Sequence, residues 1–248
     1  MLVFIMLLCM IGLYWVFSAA WIAAQRLIPD QYIREVQVGD RVFHIPQEYY
    51  KTAHSMPSWM GSLPGLHDGG DIMSMYLRDD EVVASVPGYI PRDPETVFRK
   101  LVSNEDFSLY IKILKPDGVE HYLDPFWMKD IWAKTGYHKS RYVETDPQTG
   151  YFRVYEEKEY DRSWKLLKVN PEIQERPSDL FSYEVGDCQA ISKGYRSHPV
   201  SCSSYIVFEN VYIRFRTNGP NIKHVDEIRA FLVKLVGGWL VSKDQNAN

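Results

Sequence analysis

The residues best equipped for chemistry lie in His67-Asp68-Gly69-Gly70-Asp71, where an imidazole and two carboxylates sit on a glycine-rich stretch. Oxygen and nitrogen donors on so pliant a backbone can wrap one hard cation. Gly and Asp are also the residues an exposed turn prefers, and that plainer reading assigns no metal there. The seven histidines, His44, His54, His67, His121, His138, His198 and His224, are scattered singly, so no two have the spacing of paired ligands. No Gly-x-Ser-x-Gly elbow, His-Glu-x-x-His motif or phosphate-cradling glycine loop occurs. A triad drawn from distant residues has no nucleophile signature to start from. The expectation is a non-enzymatic protein that binds, with no catalytic residue, cofactor or metal.

Two further groups of residues carry chemistry of another kind. Cys188 and Cys202 flank a turn-like stretch, Lys193 to Pro199, between two strand-like runs, and equal arms would set them face to face. A disulfide there closes a loop of about 14 residues and adds about 3 kcal/mol in the chain-entropy model. Such a bond persists only in an oxidising compartment; the other reading is two free thiols in a cytosolic domain. Zinc is disfavoured, because His198 is a lone third ligand. The acidic run Glu156-Glu157-Lys158-Glu159-Tyr160-Asp161 could meet a basic partner surface or be a solvated strand end.

What must position these groups begins with an uncharged, mostly apolar run from Leu2 to Ala24, which as a helix would span roughly 34 Å and cross a bilayer core. Read as a cleaved signal it lacks a basic start and is too long, although Ser18-Ala19-Ala20 could be cut. Met6-Leu7-Leu8 ahead of Cys9 lacks the small residue of a lipoprotein box. We expect residues 1–26 to form an uncut transmembrane anchor and residues 27–248 an α+β body. Arg26, Arg34 and Arg41 after the run would keep that body in the cytoplasm, but Asp30, Glu35 and Asp40 interleave with them. The cysteine pair argues for export, so the expected location is the bacterial inner membrane, single-pass, with the bulk in the periplasm. A net charge of −4 with no basic cluster excludes a nucleic-acid partner.

Within the body, Ile33–Val38 and Arg41–Ile45 alternate around Gly39-Asp40 as a hairpin. Residues 46–71 show no period and are long enough to be a working loop. Strands are predicted at 71–77 and 81–86, a helix opening at Asp93-Pro94 and running to Leu101, and a hairpin of 107–115 with 119–123 around Pro116-Asp117-Gly118. Asp124-Pro125 reads as cap and first helical residue of a short helix ended by Gly136. Strands follow at 141–145, 151–155 and 164–169, then a long strand or bent pair from Ser201 to Arg216 broken at Glu209-Asn210. From Ile222 to Ser242 the apolar residues follow a 3.6 repeat, the pattern of an amphipathic helix laid on one sheet face. The fold class expected is therefore α+β, with a mainly antiparallel β ectodomain and a C-terminal amphipathic helix.

An N-terminal helix, then Arg41-Val42-Phe43-His44-Ile45-Pro46 with nearby tyrosines, a Cys188 to Cys202 hairpin and an end helix carrying Trp239 together resemble membrane-anchored periplasmic proteins of Gram-negative bacteria. Some proteins of that build are similar to immunity proteins kept beside type VI secretion effectors. The chain departs from them in having no basic residue before its helix. The resemblance implies protection by binding a toxin, with a protein partner and no catalytic residues to carry over. The candidate contact residues are Tyr49, Tyr50, His67, Asp68 and Asp71 in the loop, then Glu156, Glu157 and Glu159. A second reading is an accessory subunit of an integral membrane complex, packed through Tyr14, Trp15, Phe17 and Trp21; a third, an envelope hydrolase, names no residue.

Overall fold

Alternation of apolar and polar residues becomes antiparallel pairing from the first described residue onward. The computed structural model describes residues 33–46, 49, 72–91, 107–156, 163–190 and 200–241. The anchor expected at 1–26, the helix at Asp93 to Leu101 and most of the 46–71 loop lie outside the described residues; among those described, no helix is long and apolar enough to cross a membrane. Strands β1 (Ile33–Val38) and β2 (Arg41–Pro46) form the expected hairpin, closed at Gly39 with φ 59°. The main sheet has eight strands among the described residues: β3 (Ile72–Leu77), β4 (Phe107–Ile113), β5 (Tyr142–Thr145), β6 (Phe152–Tyr155), β7 (Ser163–Leu167), β8 (Glu184–Ala190), β9 (Val200–Phe208) and β10 (Val211–Asn218). Their order is β3-β4-β10-β9-β8-β7-β6-β5, every neighbour antiparallel. Helices α1 (Asp79–Ser85), α2 (Pro116–Leu123), α3 (Phe126–Ala133), α4 (Leu180–Tyr183) and α5 (Val225–Trp239) complete a mainly antiparallel α+β fold.

Several expectations are corrected. The segment read as a strand at 81–86 is α1, whose Val82 and Val86 are both fully buried four residues apart while Val83 is exposed. Asp79, Asp80 and Glu81 occupy its first turn, where the helix dipole favours negative charge. Pro116-Asp117-Gly118 does not turn a hairpin; Pro116 starts α2, a position that needs no backbone N–H, and β4 pairs instead with β3 and the distant β10. Asp124 is not the cap of α3, which Pro125 precedes; its carboxylate accepts from Arg176 at 2.6 Å and pairs with Lys129 at 2.7 Å. The end helix begins three residues later than read, because Gly219–His224 forms a 3-10 turn with Asn218 capping Asn221. The 201–216 segment resolves into a pair, β9 and β10, turned by Glu209 and Asn210 at φ 46° and 64°.

The sheet has one apolar face and one mixed face. Val211, Ile213 and Phe215 of β10, with Phe107, Leu109 and Ile111 of β4, pack under Ile228, Leu232, Val236 and Trp239 of α5. Each such side chain contributes roughly 1.5–3 kcal/mol by leaving water. Gly186 is required where β8 meets β9, since a Cβ there would come within 2.4 Å of the Ser203 carbonyl oxygen. On the other face Met128, Ile131, Val154, Leu167 and Tyr183 form a second cluster under α2 and α3.

Arg229 of α5 is 3 % exposed and still fully bonded. Its Nη2 donates to Glu184 Oε2 at 2.6 Å and Ser204 Oγ at 2.9 Å, its Nη1 to the Glu184 carbonyl at 3.0 Å and its Nε to the Tyr205 carbonyl at 3.1 Å. Burial pushes the Glu184 carboxyl up to about 7, against the opposing pull of Arg229. Arg229→Ala should cost about 3–5 kcal/mol in urea unfolding, because it leaves Glu184 buried without its cation. A carboxyl raised in the folded state retains a proton that the unfolded chain releases above its ordinary 4.5, so this group's contribution is full below 4.5 and declines as pH rises through about 7. Glu184→Gln should flatten that decline in unfolding titrations across this range.

Candidate functional site

Successive strand residues point to opposite faces, so Tyr212, Arg214 and Arg216 of β10 stand opposite the apolar core. The register places Tyr212 beside Lys112 and Val207, Arg214 beside Tyr110 and Tyr205, and Arg216 beside Ser108 and Ser203. Asp187 of β8 pairs with Ser203 on one side and Lys165 of β7 on the other. Helices α2 and α3 roof one end of this face, leaving two open hollows of ≈ 270 and ≈ 410 Å³ that share Ser203, Arg214 and Arg216.

The roofed end is aromatic. Tyr205 donates its hydroxyl to the Tyr122 carbonyl at 3.0 Å, and the Tyr212 ring lies 4.7 Å from Tyr122 and 5.3 Å from Tyr205. Burial raises both the Tyr205 and Tyr212 phenols, Tyr212 to about 12 with Arg214 opposing, so both stay protonated donors at neutral pH. Lys165 forms an ion pair with Asp187 and stands 3.9 Å over the Trp127 ring. At the open end Arg214 donates to Ser203 Oγ at 3.2 Å, and Arg216 is exposed. Cationic forks beside hydroxyls recognise carboxylates and other planar anions; this face can hold such a group and exchange hydrogen bonds with the chain that carries it.

The residues expected to make contact are divided by the fold. Tyr49 is half-buried against the apolar core, its ring 4.8 Å from Trp239, on the sheet face opposite the hollows. Glu156 is exposed and lines the same hollow as Arg214 and Arg216. Tyr50, His67, Asp68, Asp71, Glu157 and Glu159 lie outside the described residues. Among the described residues no group of three or more His, Cys, Asp or Glu could hold a metal ion. Sequence reading passed over Arg214 and Arg216 because the 201–216 alternation was followed through its apolar half. The signal was in the polar half, where two arginines recur at i and i+2.

Cys188 and Cys202 are joined, as expected. They are direct partners in the β8–β9 register with Cα atoms 4.1 Å apart, both almost wholly buried on the apolar face beside Trp164. The loop they span, 191–199, lies outside the described residues.

No family model matches the chain, and no curated protein matches it. Among solved structures it is similar to an immunity protein of the Stenotrophomonas maltophilia type IV secretion system, at 10% identity and a TM-score of 0.41 over 86% of this chain and 94% of that one.

Replacing both cysteines by alanine should lower unfolding free energy by about 3 kcal/mol in denaturant titration while leaving the circular dichroism spectrum unchanged. Thiol alkylation under reductant should modify the wild-type pair far faster once denaturant is added, since both residues are almost wholly buried.

Proposed function

We propose that this protein is a membrane-tethered periplasmic binding protein, an immunity or inhibitor protein that neutralises a secreted toxin without catalysing a reaction. The observation that carries the compartment is the buried Cys188–Cys202 bond, because cytosolic thiol buffers keep such pairs reduced. The run from Leu2 to Ala24 supplies the tether. A broad, open face lined by arginine, lysine, serine and tyrosine suits contact with a macromolecular surface.

A tether adds no contact of its own. It confines the inhibitor to the layer where the toxin acts and so raises its effective concentration. The contact surface in this reading comprises the open sheet face, one of whose hollows Glu156 lines, with the 46–71 loop as a separate second element.

Cells producing the chain should survive a periplasmic toxin encoded by a neighbouring gene, and removal of residues 51–70, which spares the Tyr49 contact with Trp239, should abolish toxin capture without changing the melting curve. Survival should persist when residues 1–26 are exchanged for an unrelated anchor. Loss of function on that exchange would instead support a subunit of a membrane complex, and protease added to spheroplasts without cutting the body would reject the periplasmic location.

A further inference from the structure

Eight arginine side chains are described, and six of them hold a carboxylate partner: Arg41, Arg78, Arg141, Arg153, Arg176 and Arg229. The remaining two, Arg214 and Arg216, have no carboxylate partner among the described residues, and they stand on the same face of one strand two positions apart. In a chain of net charge −4, spending acids on every other described arginine and none on these two leaves a cationic pair open to solvent. Like charges this close repel, and the surface carries that cost unless something anionic answers it.

We propose that this face docks an extended segment of a protein partner that carries carboxylates on alternate residues. The inference rests on the binding role proposed above and adds the chemistry of the partner. A strand rises about 3.3 Å per residue, so Arg214 and Arg216 are about 6.6 Å apart along β10, and carboxylates at i and i+2 of an extended peptide repeat at the same spacing. Each guanidinium can take one carboxylate through a two-pronged hydrogen bond. Ser108 and Ser203, directly beside Arg216, and Tyr110, beside Arg214, add hydroxyls for the peptide that bears them. Lys112 of the adjacent strand, opposite Tyr212, adds a third cation to the same face; of the described acids there, Asp187 is already occupied by Lys165, and Glu156 lines the hollow without an ion pair to either arginine.

The test uses the full-length chain in detergent micelles and two fluorescein-labelled peptides of equal length and charge, one with glutamates on alternate residues and one with glutamates adjacent. Fluorescence anisotropy at low ionic strength should show the alternating peptide binding at least about threefold more tightly, and its affinity should fall about fivefold or more in R214Q/R216Q, two exposed pairs being lost. Equal binding of the two peptides, no binding up to about 1 mM, or binding indifferent to R214Q/R216Q would overturn the proposal. So would tighter binding to phosphatidylglycerol vesicles or to a single-stranded oligonucleotide with the same dependence on both arginines. The cellular assay separates the two readings. A chain that binds the alternating peptide but protects against no toxin removes the immunity role and keeps the site; one that protects equally well as R214Q/R216Q keeps the role and removes the site.

Discussion

A single guanidinium ties the terminal helix to the middle of the sheet, and both faces of that sheet depend on its staying there. Arg229 reaches Glu184 on β8 and Ser204 and Tyr205 on β9, with its cation 4.9 Å over the Phe181 ring. Apolar packing alone would let α5 slide or rotate over a surface of Ile, Val and Phe at small cost. Four directional hydrogen bonds to two neighbouring strands admit one placement. Burying this ion pair costs desolvation that its mutual attraction only partly repays, so its contribution lies in defining one arrangement more than in adding stability. With α5 fixed, the odd residues of β10 are committed to the core, and Arg214 and Arg216 are thereby committed to the opposite side.

Stability and the proposed recognition are thus divided across one sheet. The disulfide, the Arg229 network and the larger apolar cluster all sit on the helix-covered face. The open face carries the tyrosine group, the serines and two arginines without a carboxylate partner among the described residues. A substitution at Ser108, Arg214 or Arg216 touches few buried contacts, whereas Tyr205, Tyr122 and Tyr212 belong to the second apolar cluster. Glu156 lies on this working side, and Tyr49 belongs to the scaffold.

Much of this was legible in the residue order, and where it was not the causes are physical. The β1–β2 turn at Gly39, the β5–β6 hairpin and the β9–β10 turn each carry turn residues between strand-like runs, and α5 keeps an unbroken 3.6 period. The Cys188–Cys202 pairing followed from equal arms about a turn. The segments at 81–86 and 119–123 were too short for a period of two to be told from one of 3.6, and tertiary partners decided them. Strand β4 found its neighbour in β10, a pairing that local pattern does not encode. Arg214 and Arg216 were visible as letters, but their lack of a counter-charge emerges only after every other described arginine has been matched to its carboxylate.

That long-range pairing also governs assembly. Leu114 and Asn210, 96 positions apart, are joined by hydrogen bonds of 2.8 and 3.3 Å at the point where β4 meets β10. The centre of the sheet therefore cannot zip up until both strands have left the ribosome, and loop closure of that length is slow. A nascent chain with this strand order stays open through most of its synthesis. For that interval β4, paired on one side with β3, presents an open edge to which a foreign strand could add.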